Sequence, residues 1–329
     1  MGNFTLIEFH RRRDFSKKIN ATFEFIRQNW KPLFKSIFMI AGPPVIVAGM
    51  IIGSFFGDLL SLTQGMANLG ANPQVTQDYF MSASFWLQIV LAFTFVLLSS
   101  VMSIATINNY IILYGERQSN RIDVSEVWQR VSATFWMYFR TTLFFGILII
   151  VVYALMVIPV TMLAAISPGL IILGVMMLFF AIIYMMISVS LTFIIRAIEK
   201  KRFFDSLARS FKLVHGKWWS TFGLILILYF VMMTISYIPL IPWYGTMIVT
   251  SLHDTSEVGG SESQSFSGIL MVVFFTLYYM IQLILSALPN IGIAFQYFNL
   301  VELKEAKGLL SQIDTFGQPS TPAPPDERY

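Results

Sequence analysis

Cysteine is absent from this 329-residue chain, which removes disulfides, thiolate nucleophiles and Cys-ligated metals from consideration. Charge is scarce as well. Asp, Glu, Lys and Arg make up 12% of the residues against 56% hydrophobic ones, where soluble domains carry roughly a quarter charged. A soluble core of that composition would leave a large apolar surface in water. Five stretches hold no Asp, Glu, Lys or Arg at all: 36–57, 79–115, 141–195, 218–253 and 263–301. A membrane-crossing helix needs about 20 apolar residues at 1.5 Å rise each, so all five qualify. The run 141–195 is long enough for two spans, with "SPG" at 167–169 as the break, because Pro and Gly end helices. The expected fold class is all-α, a polytopic membrane bundle of about six transmembrane helices.

One side of this bundle lacks basic residues altogether. With spans near 36–57, 84–114, 141–163, 170–195, 220–250 and 266–300, the segments 1–35, 115–140, 196–217 and 302–329 fall together and carry all 22 Lys and Arg. The opposite loops hold only Asp58, Asp78, Asp254, Glu257 and Glu262. The positive-inside rule then puts both termini in the cytoplasm. The net charge of +4 reads as topology and attraction to anionic headgroups, not as nucleic-acid binding. The amino-terminal "MGNFTLIEFHRRRDF" has no apolar h-region and is not expected to be a cleaved signal; Leu6 stands where a myristoylation motif wants Ser or Thr. The "RRR" at 11–13 reads as a stop signal and headgroup anchor.

Catalytic and metal constellations are missing too. His10, His215 and His253 are the only histidines, and none has a second donor at ligand spacing. No phosphate loop, nucleophile elbow or paired-carboxylate motif occurs. The expectation is a protein that is not an enzyme and takes no metal or cofactor. The spans also lack charges away from their ends, which argues against proton coupling or voltage sensing.

What is present is a repeat. Shifted by 188 residues, "FSKKINATFEFIRQNWKPLF" at 15–34 aligns with "FFDSLARSFKLVHGKWWSTF" at 203–222. Phe15, Phe23, Trp30 and Phe34 meet Phe203, Phe211, Trp218 and Phe222, and Ile19, Thr22, Phe25 and Ile26 meet Leu207, Ser210, Leu213 and Val214. At a shift of 109, "VSEVWQRVSATFWMYFRTTL" at 124–143 keeps the apolar positions without identities. The chain therefore reads as one integral membrane domain over 1–317, a weak threefold repeat with units near 10–114, 117–195 and 199–300, and a disordered tail over 318–329. Each unit opens with an amphipathic helix expected to lie in the interface. Its apolar face, Phe15, Ile19, Phe23 and Ile26 or Phe204, Leu207, Phe211 and Val214, is expected to meet the headgroups, and Lys17, Lys18, Arg27, Arg209 and Lys212 to face water.

Two sets of candidate residues follow. Lys200, Lys201, Arg202, Arg209, Lys212, Trp218 and Trp219 form a basic, aromatic surface suited to anionic lipids or a partner membrane protein. Gln282, Asn290 and Gln296 form a polar stretch around Pro289, where a discontinuous helix could serve a pore or substrate; the competing use of such residues is hydrogen bonding between helices. The expected function is a non-enzymatic accessory or scaffold protein acting through its cytoplasmic amphipathic helices; the alternative is a uniporter or channel for a lipid-like or small neutral solute. Gly49, Gly53 and Gly57 form a small-residue stripe, for packing within the bundle or, alternatively, homodimerisation.

At "SFKLVHGKWWSTFG", with Ser210, Leu213, Gly216, Trp218 and Gly223, the chain resembles a bacterial multi-pass family that includes the membrane domain fused to some glycerophosphodiester phosphodiesterases. The stretch "FQYFNLVELKEAKGLLSQID" at 295–314 is similar to uncharacterised inner-membrane proteins of Bacteroidota. The resemblance implies repeated units of one amphipathic helix and two spans, and a bacterial inner membrane. It carries over no catalytic residue, because the phosphodiesterase domain has no counterpart here.

Overall fold

The computed structural model describes residues 7–69, 73–167, 169–245 and 261–306. These residues are overwhelmingly helical and contain no strand. That outcome suits a chain in lipid, where backbone polar groups must be satisfied within their own segment. The helices are α1 (Phe15–Leu69), α2 (Pro73–Met81), α3 (Ala83–Arg117), α4 (Val124–Ile166), α5 (Leu170–Val189), α6 (Thr192–Glu199), α7 (Phe203–Val214), α8 (Trp218–Ser236), α9 (Ser261–Leu285) and α10 (Ala287–Glu305). A 3-10 turn, Ile238–Leu240, and a helical run over 241–245 prolong α8. Six stretches are long and apolar enough to cross a membrane: Phe15–Thr63, Ala83–Arg117, Val124–Ile166, Leu170–Glu199, Trp218–Gly245 and Gly268–Glu305.

The helices run on past the expected span limits. The amphipathic segments at 15–34 and 124–143 are not separate interfacial helices, since they continue without interruption into the spans of α1 and α4. Only the third unit breaks. There Gly216 adopts φ +79°, a left-handed conformation that glycine takes without a Cβ clash, and α8 starts afresh at Trp218. The aligned residue of the first unit is Gln28, which stays helical. An added Cβ at Gly216 meets nothing within 4 Å, so Gly216→Ala isolates backbone strain. We expect it to lower stability by about 1–2 kcal/mol, read from the thermal unfolding midpoint in detergent. The expected loop at 58–83 is helical over most of its length, in α1, α2 and the start of α3. Residues 261–265, expected in a loop, begin α9. Pro168, His253 and the tail at 318–329 lie outside the described residues.

The last span is interrupted at Ser286, between α9 and α10. Pro289 has no N–H to give the Leu285 carbonyl, and at the next residue the backbone N–H and the side chain of Asn290 both donate to the Ser286 carbonyl, at 3.3 and 2.8 Å. The Ser286 hydroxyl lies 2.9 Å from that of Ser103 in α3.

Helix α1 is the centre of the bundle, lying against α9 and α3 over most of its length. The glycine stripe is the reason it can come so close to α9. A Cβ on Gly53 would stand 2.5 Å from the Val272 Cα, one on Gly49 2.7 Å from the Thr276 Cα, and one on Gly57 3.5 Å from the Gly268 Cα. The stripe thus packs within the bundle. By contrast, none of the most apolar window of α4 is buried, so the α4–α5 hairpin is the edge most open to lipid.

Buried side chains crowd the basic end, where Phe25, Leu33, Tyr110, Tyr114, Phe295 and Leu300 are fully enclosed. The buried stripe of α1 is not the apolar face that periodicity favours. It is Lys18, Thr22, Phe25 and Asn29, while Phe15, Phe23 and Trp30 are exposed. The same register recurs in the other units: Val127, Val131 and Tyr138 in α4, and Ser206, Ser210 and Leu213 in α7, are buried at the aligned positions. Lys18, read from periodicity as solvent-facing, is therefore internal. In lipid, apolar rings face outward at no cost, so the interior is free to take the polar residues that need partners.

Candidate functional site

The third unit brings most of the predicted surface residues to one corner, but divides them by role. Glu199, at the end of α6, accepts from Lys201 Nζ at 2.7 Å, Tyr297 Oη at 3.0 Å and Arg209 Nε at 3.2 Å. Arg209 also pairs with Glu305 of α10. That hydrogen bond, with help from Glu199 and against partial burial, holds the Arg209 guanidinium above its ordinary pKa. Arg209 is thus tied into a partly buried cluster, with Lys201 paired at its exposed edge. Lys200, Arg202 and Lys212 are exposed and form no ion pair among the described residues.

The two tryptophans differ in the same way. Trp218 stacks on Tyr184 (centroids 5.6 Å apart) and Phe222 (5.2 Å), and its indole N–H donates to the Tyr184 carbonyl at 3.3 Å. Trp219 is 78% exposed and meets Trp218 edge-on. Phe204 and Phe211, seven residues apart on α7, are exposed as well, while the charged ends of α7 follow the helix dipole, Asp205 in the first turn and Lys212 in the last. Between α5 and the α7–α8 corner lies a notch of about 300 Å³, lined by Tyr184, Ser188, Phe211, Lys212, His215 and Trp218.

The polar residues of the last span are not gathered into one site. Gln282 is in α9, fourteen residues before Gln296, roughly 21 Å away along a helix rising 1.5 Å per residue. Asn290 is occupied at the Ser286 break. Gln296 is buried near the basic end, where its Oε1 accepts from Lys18 Nζ at 2.7 Å and its Nε2 donates to Thr221 Oγ1 at 2.8 Å.

Sequence reasoning missed the second cavity, about 350 Å³, that this network borders. Its lining comes from three elements far apart in sequence: Arg12, Arg13, Asp14 and Lys18 at the start of α1, Lys217 and Ser220 at the start of α8, and Gln296 and Asn299 in α10. The backbone N–H of Arg13 donates to Asn299 Oδ1 at 2.7 Å, and its side chain donates to the carbonyls of Glu8 and Phe9. Arg13 also lies over the Phe295 ring, 5.2 Å from its centroid. It is an internal strut, not a free headgroup anchor. Phe9, stacked on Phe298 at 4.8 Å, holds the preceding segment to the core. Repetition of an aligned base with a buried small residue, Lys18 against Ser206, was the one available signal.

Taken together, the six helices long and apolar enough to cross a membrane define a multi-pass α-helical membrane protein. The chain belongs to the family described as "Domain of unknown function (DUF8558)", whose model matches residues 67–289. No curated protein and no solved structure matches the chain. The matched region takes in the α7–α8 corner; Lys18 and Gln296 lie outside it.

Among the described residues, no group of His, Asp and Glu is arranged to hold a metal ion. His10 packs edge-on against Phe298, 5.1 Å between centroids, and the His215 carbonyl accepts from Lys304 Nζ at 3.0 Å.

Proposed function

We propose that this protein is a non-enzymatic scaffold or accessory component of a bacterial inner membrane, with both termini cytoplasmic, that gathers anionic lipid through its α7–α8 corner. The observation that carries the reading is that the short segment 200–219 exposes Phe204, Phe211 and Trp219 together with Lys200, Arg202 and Lys212, bases that form no ion pair among the described residues. Rings of this kind favour the headgroup level, and nearby bases attract anionic headgroups at about 1 kcal/mol each. The confinement of all 22 Lys and Arg to the segments on that side supports the orientation. The resemblance to the phosphodiesterase-linked membrane domain is consistent with this placement.

The test uses the full chain in nanodiscs and spin-labelled lipids. Lys200→Gln, Arg202→Gln and Lys212→Gln combined should lower its preference for phosphatidylglycerol over phosphatidylcholine by roughly ten- to a hundredfold, since three exposed charges at up to about 1 kcal/mol apiece sum to at most about 3 kcal/mol. Trp219→Ala should weaken retention of both lipids alike. An unchanged preference in a folded triple variant would remove the proposal. Loss of a co-purifying protein instead would identify the corner as a partner's docking surface.

A further inference from the structure

The cavity at the base of α1 holds a buried ammonium with no carboxylate in ion-pair contact among the described residues. Lys18 is 2% exposed, and its ammonium is met by neutral acceptors, Ser220 Oγ at 2.8 Å and Gln296 Oε1 at 2.7 Å. An ammonium has three N–H donors, so one remains after these two. The Phe15 ring covers another side, 5.6 Å from Nζ. The acid in the lining, Asp14, is exposed and its carboxylate lies 3.7 Å from Lys17. Arg12 and Lys217 stand at the rim, exposed and without an ion pair among the described residues. Four bases thus surround one acid, and among the described residues none of the four, Arg12, Arg13, Lys18 and Lys217, forms an ion pair with a carboxylate; the Arg13 side chain is held by backbone carbonyls instead. A buried cation ringed by like charges is unfavourable unless an anion joins it.

We propose that this cavity binds a phosphate group, esterified or free. The bases approach from three separate elements, the segment before α1, α1 itself and the start of α8. A tetrahedral phosphate offers acceptor oxygens in as many directions, and charge-assisted hydrogen bonds of this kind are the strong ones. Ser220 and Asn299 supply neutral polar contacts deeper in. At about 350 Å³ the space lies at the low end of ligand pockets, roughly 300–1,000 Å³, so a phosphate carrying an organic stem fits. Phe15, Leu300 and Leu303 form the apolar part of the lining, where such a stem would lie. This site uses a different set of bases from the α7–α8 corner, and it stands or falls independently of that reading.

The experiment uses the full chain in neutral detergent, titrated with inorganic phosphate at constant ionic strength, and in parallel with dihexanoyl phosphatidic acid against dihexanoyl phosphatidylcholine by native mass spectrometry. Binding of inorganic phosphate identifies a free-phosphate site; binding of phosphatidic acid alone identifies a headgroup site. Arg12→Gln and Lys217→Gln, both at the exposed rim, should each weaken binding roughly tenfold, the size of one charge-assisted hydrogen bond. Lys18→Met should abolish it, while Lys200→Gln, Arg202→Gln and Lys212→Gln leave it unchanged. If neither probe binds, or if Arg12→Gln and Lys217→Gln bind as the parent does, the proposal is wrong. Those two rim variants decide the matter even if Lys18→Met fails to fold.

Discussion

Gly53→Ala is expected to destabilise the bundle by about 1–3 kcal/mol, the usual cost of overpacking, and Gly53→Leu to leave no monodisperse protein in detergent. The new Cβ would face three backbone atoms of α9: the Val272 Cα at 2.5 Å, and the Met271 carbonyl oxygen and Val272 nitrogen, each at 3.0 Å. Backbone cannot rotate away as a side chain can, so the whole of α1 must separate from α9. Alanine ordinarily improves a helix by about 1 kcal/mol over glycine, and here that gain is outweighed. The neighbouring positions form an internal control. Gly49→Ala meets the Thr276 Cα at 2.7 Å and should cost slightly less, whereas Gly57→Ala stands 3.5 Å from the Gly268 Cα, an ordinary contact, and should be neutral or stabilising. The graded series is checked by thermal unfolding of the detergent-solubilised chain. Equal midpoints for the Gly53 and Gly57 variants would mean that the stripe does not meet α9, and would return it to a role between two copies of the chain.

The number of spans and the one-sided placement of bases were legible in the sequence because both are one-dimensional. A run of 20 apolar residues and the position of Arg or Lys between runs do not depend on distant partners. The facing of each helix was not legible. In water, apolar periodicity points to the core, but in lipid Phe23 and Trp30 can face outward while Thr22 and Asn29 face inward, so the apolar stripe loses its meaning as a core marker. Lys18 illustrates the second barrier. Its acceptors, Ser220 and Gln296, are 202 and 278 residues away, and no local pattern marks a base that will find them. The division between Lys200 and Lys212 on one hand and Arg209 on the other was hidden for the same reason, since Glu305 lies far along the chain on α10. The weak similarity between the segments has a counterpart in burial, since Lys18, Val127 and Ser206, and likewise Thr22, Val131 and Ser210, are buried at aligned positions.

Removing the Glu199 carboxylate is expected to be the most damaging single change at the basic end. Its side chain is 11% exposed and that of Arg209 15%, so neither is well solvated. Glu199→Leu would leave Arg209 with Glu305 alone and strip the acceptor from Tyr297 and Lys201. Breaking a fully buried pair costs about 3–5 kcal/mol; with this partial exposure we expect about 1–3 kcal/mol, reduced for solvent screening. The loss should appear as a lower unfolding midpoint, with α7 detaching first, because Glu199 of α6 and Glu305 of α10 are both joined to α7 through Arg209. Tyr297→Phe removes one hydrogen bond to the charged Glu199 and should cost about 1.5 kcal/mol. A double-mutant cycle between Glu199→Gln and Arg209→Gln should show a coupling of about 0.5–2 kcal/mol, little changed by added salt, since partly buried pairs are weakly screened. Additive losses would mean that the two side chains contribute separately, and that α7 is held by its buried Ser206, Ser210 and Leu213 face instead.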